Sequence, residues 1–398
     1  MTVRIGDPMP AQRAIRPRNR RVLIVDVATR LFYERGYAAV GMSDIAEGVG
    51  IGPSALYRHF SGKQDLLREV LVASLAPVLD SLAAIDLGHR DDAIAQLCAV
   101  ALDHREFGLL WQREARHLAE IDAAAMRSTM RGIGDCLARA IGDTHPELEP
   151  AAADMSARVV IATLTSPSFH RLELPRADYL ALLAEMVGAV LDTPLPVGLS
   201  GTSAVEPRPL LIPAARREAL LTQAIRMFAR RGYLSVGLED IGAAVGIAGT
   251  SVYNHFDSKQ AILATAVARC TAALLAELDH VYDSATTPEQ ALSMLVRSYV
   301  LFTRRHHHVV GLIITDHPHL PQAERDAADR DRREYLGEWA HLMLAHCPDL
   351  DPIAARIRIQ AVLAIANDTA RSARFRTDPL ATDAVVRICS RLLHIGRD

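Results

Sequence analysis

One stretch of this 398-residue chain is written twice. Gly36-Tyr37, Asp44-Ile45, Val49-Gly50-Ile51 and Tyr57-Arg58-His59-Phe60-Ser61-Gly62-Lys63-Gln64 return as Gly232-Tyr233, Asp240-Ile241, Val245-Gly246-Ile247 and Tyr253-Asn254-His255-Phe256-Asp257-Ser258-Lys259-Gln260, at a constant offset of 196. The only two lysines in the chain, Lys63 and Lys259, close the two copies. The other strong bases are all arginine, so a lysine kept twice at one place points to a task for a compact ammonium. His145-Pro146-Glu147-Leu148-Glu149-Pro150 also returns, as Cys347-Pro348-Asp349-Leu350-Asp351-Pro352, at an offset of 202. The duplication therefore runs through each half, and the chain must fold as two like units.

Ala and Leu dominate while aromatics reach only 5%, which favours helical bundles over sheets. A formal net charge of −3 excludes a uniformly basic, nonspecific nucleic-acid binder. The charge is uneven, however: residues 1–65 hold ten basic against six acidic side chains. The five cysteines lie far apart without a Cys-x-x-Cys pair, so they suggest neither a zinc knuckle nor a disulfide framework. No uncharged apolar run reaches the roughly 18 residues of a spanning helix; Tyr179 to Leu191 is short and contains Glu185. A cytoplasmic protein is expected.

The expected layout is a basic flexible arm (1–17), a first unit of short helices (18–67) with a helical bundle (68–191), a Pro- and Gly-rich linker (192–213), a second such unit (214–263) and a second bundle (264–398). Within each unit, Ala28, Leu31 and Phe32, matched by Ala224, Met227 and Phe228, mark the buried stripe of a first helix ending at Gly36 and Gly232. A second, short helix follows Gly41 and Gly237, with Asp44 and Asp240 in the turn where the helix dipole favours an anion. Gly50 and Gly246 supply a turn, and a third helix is expected over about 53–60 and 249–256. Ser61-x-x-Gln64 and Asp257-x-x-Gln260 have the form of capping boxes opening a long fourth helix. Two short helices around a Gly turn, braced by a third, spell helix-turn-helix.

On the third helix Leu56 and Phe60, or Val252 and Phe256, set the inward direction. Arg58 then points outward with Ser54 and Ala55, while Tyr57 and His59 flank that face. Between copies Tyr, His and Phe are unchanged, whereas Ser54 becomes Thr250, Ala55 becomes Ser251 and Arg58 becomes Asn254. An unchanged frame with a changed outer face suits the reading of two different DNA half-sites, since phosphates are alike everywhere and base edges are not.

The runs from about Arg20 to Leu67 and from Arg216 to Leu263 resemble the TetR family DNA-binding domain, and the doubled chain is similar to the tandem TetR-type regulators of actinomycetes. The resemblance implies an all-α fold of two halves, each a helix-turn-helix domain on a ligand-binding and dimerisation bundle. It implies base contacts from Pro53, Ser54, Ala55 and Arg58, base or backbone contacts from Tyr57 and His59, and a phosphate contact from Lys63. The second-copy counterparts are Gly249, Thr250, Ser251, Asn254, Tyr253, His255 and Lys259. It further implies a double-stranded DNA operator, a small-molecule inducer such as a lipid, steroid or acyl-CoA, no cofactor, and a pseudo-dimer formed within one chain, with further pairing of chains left open. Helices near 150–168, 176–191, 352–370 and 381–395 are expected at its seam. Family members often carry Thr where this chain has Gly41 and Gly237, and Glu239 in place of Ser43 brings a carboxylate towards the DNA backbone; weaker binding by copy two is expected.

Two clusters lie outside the repeat motif. Phe107, Trp111, Arg113 and His117 in copy one, and His307 and Asp316 in copy two, are candidate pocket residues. His306-His307-His308 invites a metal reading, but three consecutive helical positions spread over about 200° and do not converge on one ion. A metal-dependent enzyme built on this segment and an architectural DNA-binding protein without ligand response are the alternatives. No nucleophile, phosphate loop or paired-carboxylate signature stands out.

Overall fold

The computed structural model describes residues 17–84, 89–199 and 211–396. Nearly all of the expected N-terminal arm and the centre of the linker, residues 200–210, lie outside the described residues. Copy one comprises α1 (Pro17–Arg35), α2 (Met42–Val49), α3 (Pro53–Leu56), α4 (Lys63–Ala84), α5 (Arg90–Asp103), α6 (Glu106–Glu114), α7 (Glu120–Thr144), α8 (Pro150–Thr165) and α9 (Arg176–Leu191). Copy two comprises α10 (Arg216–Arg231), α11 (Leu238–Ala243), α12 (Gly249–Val252), α13 (Lys259–Ser284), α14 (Pro288–Arg305), α15 (His307–Thr315), α16 (Gln322–His346), α17 (Pro352–Arg371), α18 (Ala373–Arg376) and α19 (Pro379–Leu392). No strand occurs among the described residues. Single 3₁₀ turns, Ala115–His117 and His317–His319, follow α6 and α15.

Local chemistry explains the helix boundaries. α1 and α10 stop where Gly36 and Gly232 take φ of +83° and +81°, a region other residues enter at a cost. The acid-before-Pro signal works fully only in copy two: Asp351 Oδ1 accepts from the N–H groups of Ile353 and Ala354 at 2.9 Å. In copy one Glu149, one methylene longer, makes no such cap and instead accepts from the Gly198 N–H at 2.9 Å. α4 and α13 run through residues 67 and 263 without a break, so each DNA-binding unit shares a continuous helix with its bundle.

α13 is long and apolar enough to cross a membrane by length and composition, with mean hydropathy 1.6 over its best window. It packs against α10, α14, α15 and α16, and its Arg269 pairs with Glu218 of α10 at 2.7 Å.

One core joins the two halves. Met155, Val159 and Val160 of α8, Leu183, Met186 and Val187 of α9, Ile357, Ala361 and Val362 of α17 and Val385, Ile388 and Leu392 of α19 are all essentially buried in a single apolar cluster. α8 and α17 are apolar on most of their circumference because each meets its own bundle on one side and the other half on the opposite side. Ion pairs ring this seam: Arg158 to Asp368 at 2.8 Å, Arg374 to Asp154, and the buried Arg358 to Glu185. Each DNA-binding unit has a core distinct from the seam, built on Phe32, Leu56 and Phe60 in copy one and on Phe228, Val252 and Phe256 in copy two, and continued into its bundle by Leu110 and Met126 or by Leu312 and Leu320.

Candidate nucleic-acid interface

In each unit the Gly at the start of the second helix donates its N–H to a carboxylate three residues on: Gly41 to Asp44 at 2.6 Å and Gly237 to Asp240 at 2.8 Å. At the other end Gly50 and Gly246 adopt φ of +71° and +74°, which turns the chain into the third helix. That helix is shorter than the sequence suggests. α3 and α12 end at Leu56 and Val252, and the following residues close a tighter turn, Arg58 N–H to Ala55 O at 3.3 Å and Asn254 N–H to Ser251 O at 3.3 Å.

The tightening leaves the facing of side chains unchanged. Leu56 and Phe60, with Val252 and Phe256, are buried, and Ser54, Arg58, Thr250 and Asn254 are exposed. Ala55 and Ser251 are half-buried, as are His59 and His255. Pro53 takes the first helical position and is exposed; Gly249 replaces it in copy two. A methyl group on Gly249 would meet Glu239 Cα at 2.9 Å, so the second helix lies against the third more closely than a side chain there permits. Tyr57 and Tyr253 are 54% and 58% exposed and so fill no core. A large aromatic body in water at the same place twice fits contact with a partner.

The capping boxes expected from Ser61-x-x-Gln64 and Asp257-x-x-Gln260 form differently. Asp65 Oδ2 accepts from the Ser61 N–H at 3.1 Å, and Ser258, rather than Asp257, caps α13 by accepting from the Ala261 N–H at 3.0 Å. The two glutamines reach instead to the bundles, where Gln64 donates to His117 O at 3.1 Å and Gln260 to His319 O at 3.4 Å.

Both lysines are also turned inward. Lys63 Nζ sits 4.2 Å from the centre of the Tyr37 ring, and Lys259 Nζ 4.2 Å from that of Tyr233. Lys259 further donates to Tyr233 O at 2.9 Å and Val236 O at 3.0 Å. Burial lowers both ammonium pKa values, an effect opposed by Glu114 and Asp44 for Lys63 and by Asp316 for Lys259. The repeated lysine therefore staples the loop between the first and second helices, which leaves Lys259 one N–H for a phosphate.

Each unit hinges on its bundle through the same cluster. His117 stacks on Tyr37 at 4.9 Å and His319 on Tyr233 at 5.0 Å, with the buried carboxylates of Glu114 and Asp316 alongside. Burial first, then Arg116 and Lys63, hold the His117 imidazole down at about 4. Arg113 donates to Phe32 O and, at 2.9 Å, to Tyr33 O, which anchors the last turn of α1. Arg116 crosses to the other half: its guanidinium lies 2.7 Å from Asp316 Oδ1, bonds Thr315 O at 3.1 Å and packs against Gly232. At the 202 offset its own counterpart is Pro318, so the latch runs one way only.

The candidate pocket residues are dispersed. Phe107 lines a cavity of about 70 Å³ in copy one, whereas Arg113 lines one of about 340 Å³ in copy two. His117 and Asp316 belong to the hinges and the latch, and Trp111 packs on the copy-one core. His307 lies beside His308, ring centres 3.9 Å apart, where burial drives the His308 imidazole down to about 4. Among the described residues no group of three or more His, Cys, Asp or Glu side chains is placed to hold a metal ion. Sequence reading missed the clamp on each recognition turn, Arg21 over Phe60 at 4.3 Å and Arg217 over Phe256 at 4.4 Å. The signal was present, because these arginines are themselves 196 apart.

The profile of the family described as bacterial regulatory proteins, tetR family, matches residues 24–70 and 220–266. The chain is 33% identical over 99 residues to the HTH-type transcriptional repressor KstR2 of Mycolicibacterium smegmatis, covering 25% of this chain and 48% of that protein. It is 30% identical over 117 residues to KstR2 of Rhodococcus jostii, covering 28% and 57%. The chain thus spans about half the length of these curated relatives. A TetR-family transcriptional regulator from Bordetella parapertussis, a solved structure, aligns over 46% of this chain and 95% of its own, with 22% identity and a TM-score of 0.42. Both matched segments fall on the two helix-turn-helix units, so the chain carries the DNA-binding domain of the tetR family of bacterial regulatory proteins twice.

Proposed function

We propose that this chain is a sequence-specific, cytoplasmic transcriptional regulator, a ligand-responsive repressor rather than an enzyme, whose two readers bind an asymmetric or imperfectly palindromic operator. The observation carrying this reading is the pair of exposed recognition surfaces that share a frame, Tyr57 with His59 and Tyr253 with His255, yet differ where they face outward, Arg58 against Asn254. Arg pairs bidentately with guanine O6 and N7, and Asn with adenine N6 and N7, so the two half-sites should differ at one matching base. The shared core of α8, α9, α17 and α19 supports pairing of the readers within one chain. The domain limits are proposed at 18–67 and 214–263 for the readers and 68–191 and 264–398 for the bundles. Lys63 and Lys259 would serve phosphate only with the N–H groups their loops leave over.

Selection of bound fragments from a random DNA pool, followed by mass measurement of the complex, tests the proposal. The expected result is one chain on a bipartite site whose halves lie about one helical turn, or slightly more, apart. A strictly palindromic site needing two chains would refute the intramolecular arrangement, and binding without sequence preference would favour an architectural role.

A further inference from the structure

The two bundles are not equivalent as containers. From α5 onward the copies align at an offset of 202, so Ala328, Arg332, Tyr335, Tyr299 and Asn367 of copy two stand where copy one has Met126, Met130, Ile133, Leu97 and Thr165. Copy one fills its interior with two methionines and an isoleucine, and about 70 Å³ remains. The corresponding space in copy two is about 340 Å³, within the range of small-molecule sites.

This larger cavity is not built from copy two alone. Leu109, Gln112 and Arg113 of α6, with Phe169, close it from the copy-one side. Gln112 Oε1 is buried there without a hydrogen-bond partner, an arrangement that costs stability unless something donates to it. Deeper in, Tyr299 donates to Asn367 Oδ1 at 3.0 Å, among Leu274, Phe302 and Ile313. The charges on the rim balance. Arg332 and Arg113 stand with Asp329 and Asp331, and Asp329 lies 3.0 Å from His317. Neutral polar groups inside an apolar wall, with no net charge to meet an ion, select an uncharged molecule.

The walls also reach both readers. Arg113 holds the α1 carbonyls of Phe32 and Tyr33. Ile313 and Ile314 lie on α15, which packs against α10, and the next turn carries His319 onto Tyr233.

We propose that the chain holds one effector site, inside copy two and roofed by α6 of copy one, for an uncharged apolar small molecule bearing a hydroxyl group, and that this single site borders the hinges of both readers. The inference rests on the ligand-responsive reading above and narrows it to one molecule per two readers.

Titration calorimetry of the full chain with 1-decanol tests it, with decanoate as the charged comparator. One decanol per chain is expected, and decanoate should bind at least about tenfold more weakly, because its carboxylate would be buried unpaired. Ala328→Met, which installs the copy-one residue, and Val310→Phe, from a different helix, should each abolish binding. Gln112→Leu should weaken decanol about fivefold, as for one lost neutral hydrogen bond, although it alters the other half of the chain. The copy-one control Met130→Leu should leave binding unchanged. Two decanols per chain, tighter decanoate, no binding of decanol, or indifference to Gln112→Leu or to both fillings would overturn the proposal. The titration contains no DNA, so its failure leaves the DNA-binding reading standing on its own selection experiment.

Discussion

Replacing Arg116 by methionine removes the cation from a carboxylate that has almost no water to fall back on. Asp316 is fully buried, and the Arg116 guanidinium reaches both of its oxygens, at 2.7 and 2.9 Å. Deleting one partner of a buried pair costs about 3–5 kcal/mol, chiefly because the remaining charge is left uncompensated. Asp316 would still accept from Thr315 Oγ1 at 2.8 Å and would keep Lys259 nearby, and Arg116 itself is partly exposed. The low end therefore applies, about 3 kcal/mol for Arg116→Met. Urea unfolding followed by Trp339, which is buried in copy two, reads the loss in a Trp111→Phe background. The double variant Arg116→Met/Asp316→Leu should recover most of it, since two apolar groups of similar shape replace a buried pair at little cost. A single-variant loss under about 1 kcal/mol would show that the latch between the halves carries no stability, and the reasoning from its burial would fail.

Three further outcomes follow from the interface. Arg58→Asn should cost about 1–3 kcal/mol on the preferred operator and change the base chosen in one half-site only; a uniform loss on all sequences in a binding-site selection would make Arg58 a backbone contact. Lys259→Met should lower the thermal midpoint as well as weaken DNA of any sequence, because it removes two hydrogen bonds within the loop; an unchanged midpoint would contradict the staple. The imidazoles of His117, His170 and His308 are held at about 4, below the usual 6.5, so the unfolded chain takes up protons that the folded one refuses. The contribution of these imidazoles to stability should then fall as pH drops from about 6.5 towards 4 and level off below, and His117→Phe, which keeps a ring on Tyr37, should flatten the slope in that window in chemical unfolding; an unaltered slope would remove His117 from the account.

Much of the frame could be read from the sequence because duplication supplies its own control. Residues kept at one offset, Gly36 with Gly232 or Phe60 with Phe256, mark positions where backbone conformation or core volume leaves little choice. At Lys63 and Lys259 the same logic marks a task without showing that part of it faces inward, onto Tyr37 and Tyr233. Gln64 and Gln260 misled for a related reason: their spacing suits a local cap, yet the bundle offers the carbonyls of His117 and His319 within reach. Beyond the helices expected at the seam, the side-chain contacts between the halves could not be read. The Arg116 latch joins residues 200 positions apart, and nothing in the repeat marks it because its counterpart is Pro318. The size of the copy-two cavity was legible only in retrospect, through Ala328 against Met126.

Joining both readers through one core changes how occupancy depends on abundance. Two separate chains must first meet, so the fraction of assembled reader falls steeply as copies per cell become few. Here the second reader is already present at the high local concentration set by the Met155, Val160, Val362 and Ile388 contacts, and binding should rise in simple proportion to the number of chains. If one chain spans one operator, as proposed, a substitution on one recognition surface would alter one half-site alone, whereas in a symmetric pair it would alter both. On the proposed bipartite operator, the fused seam would free each reader to drift towards its own target sequence while the other holds the DNA.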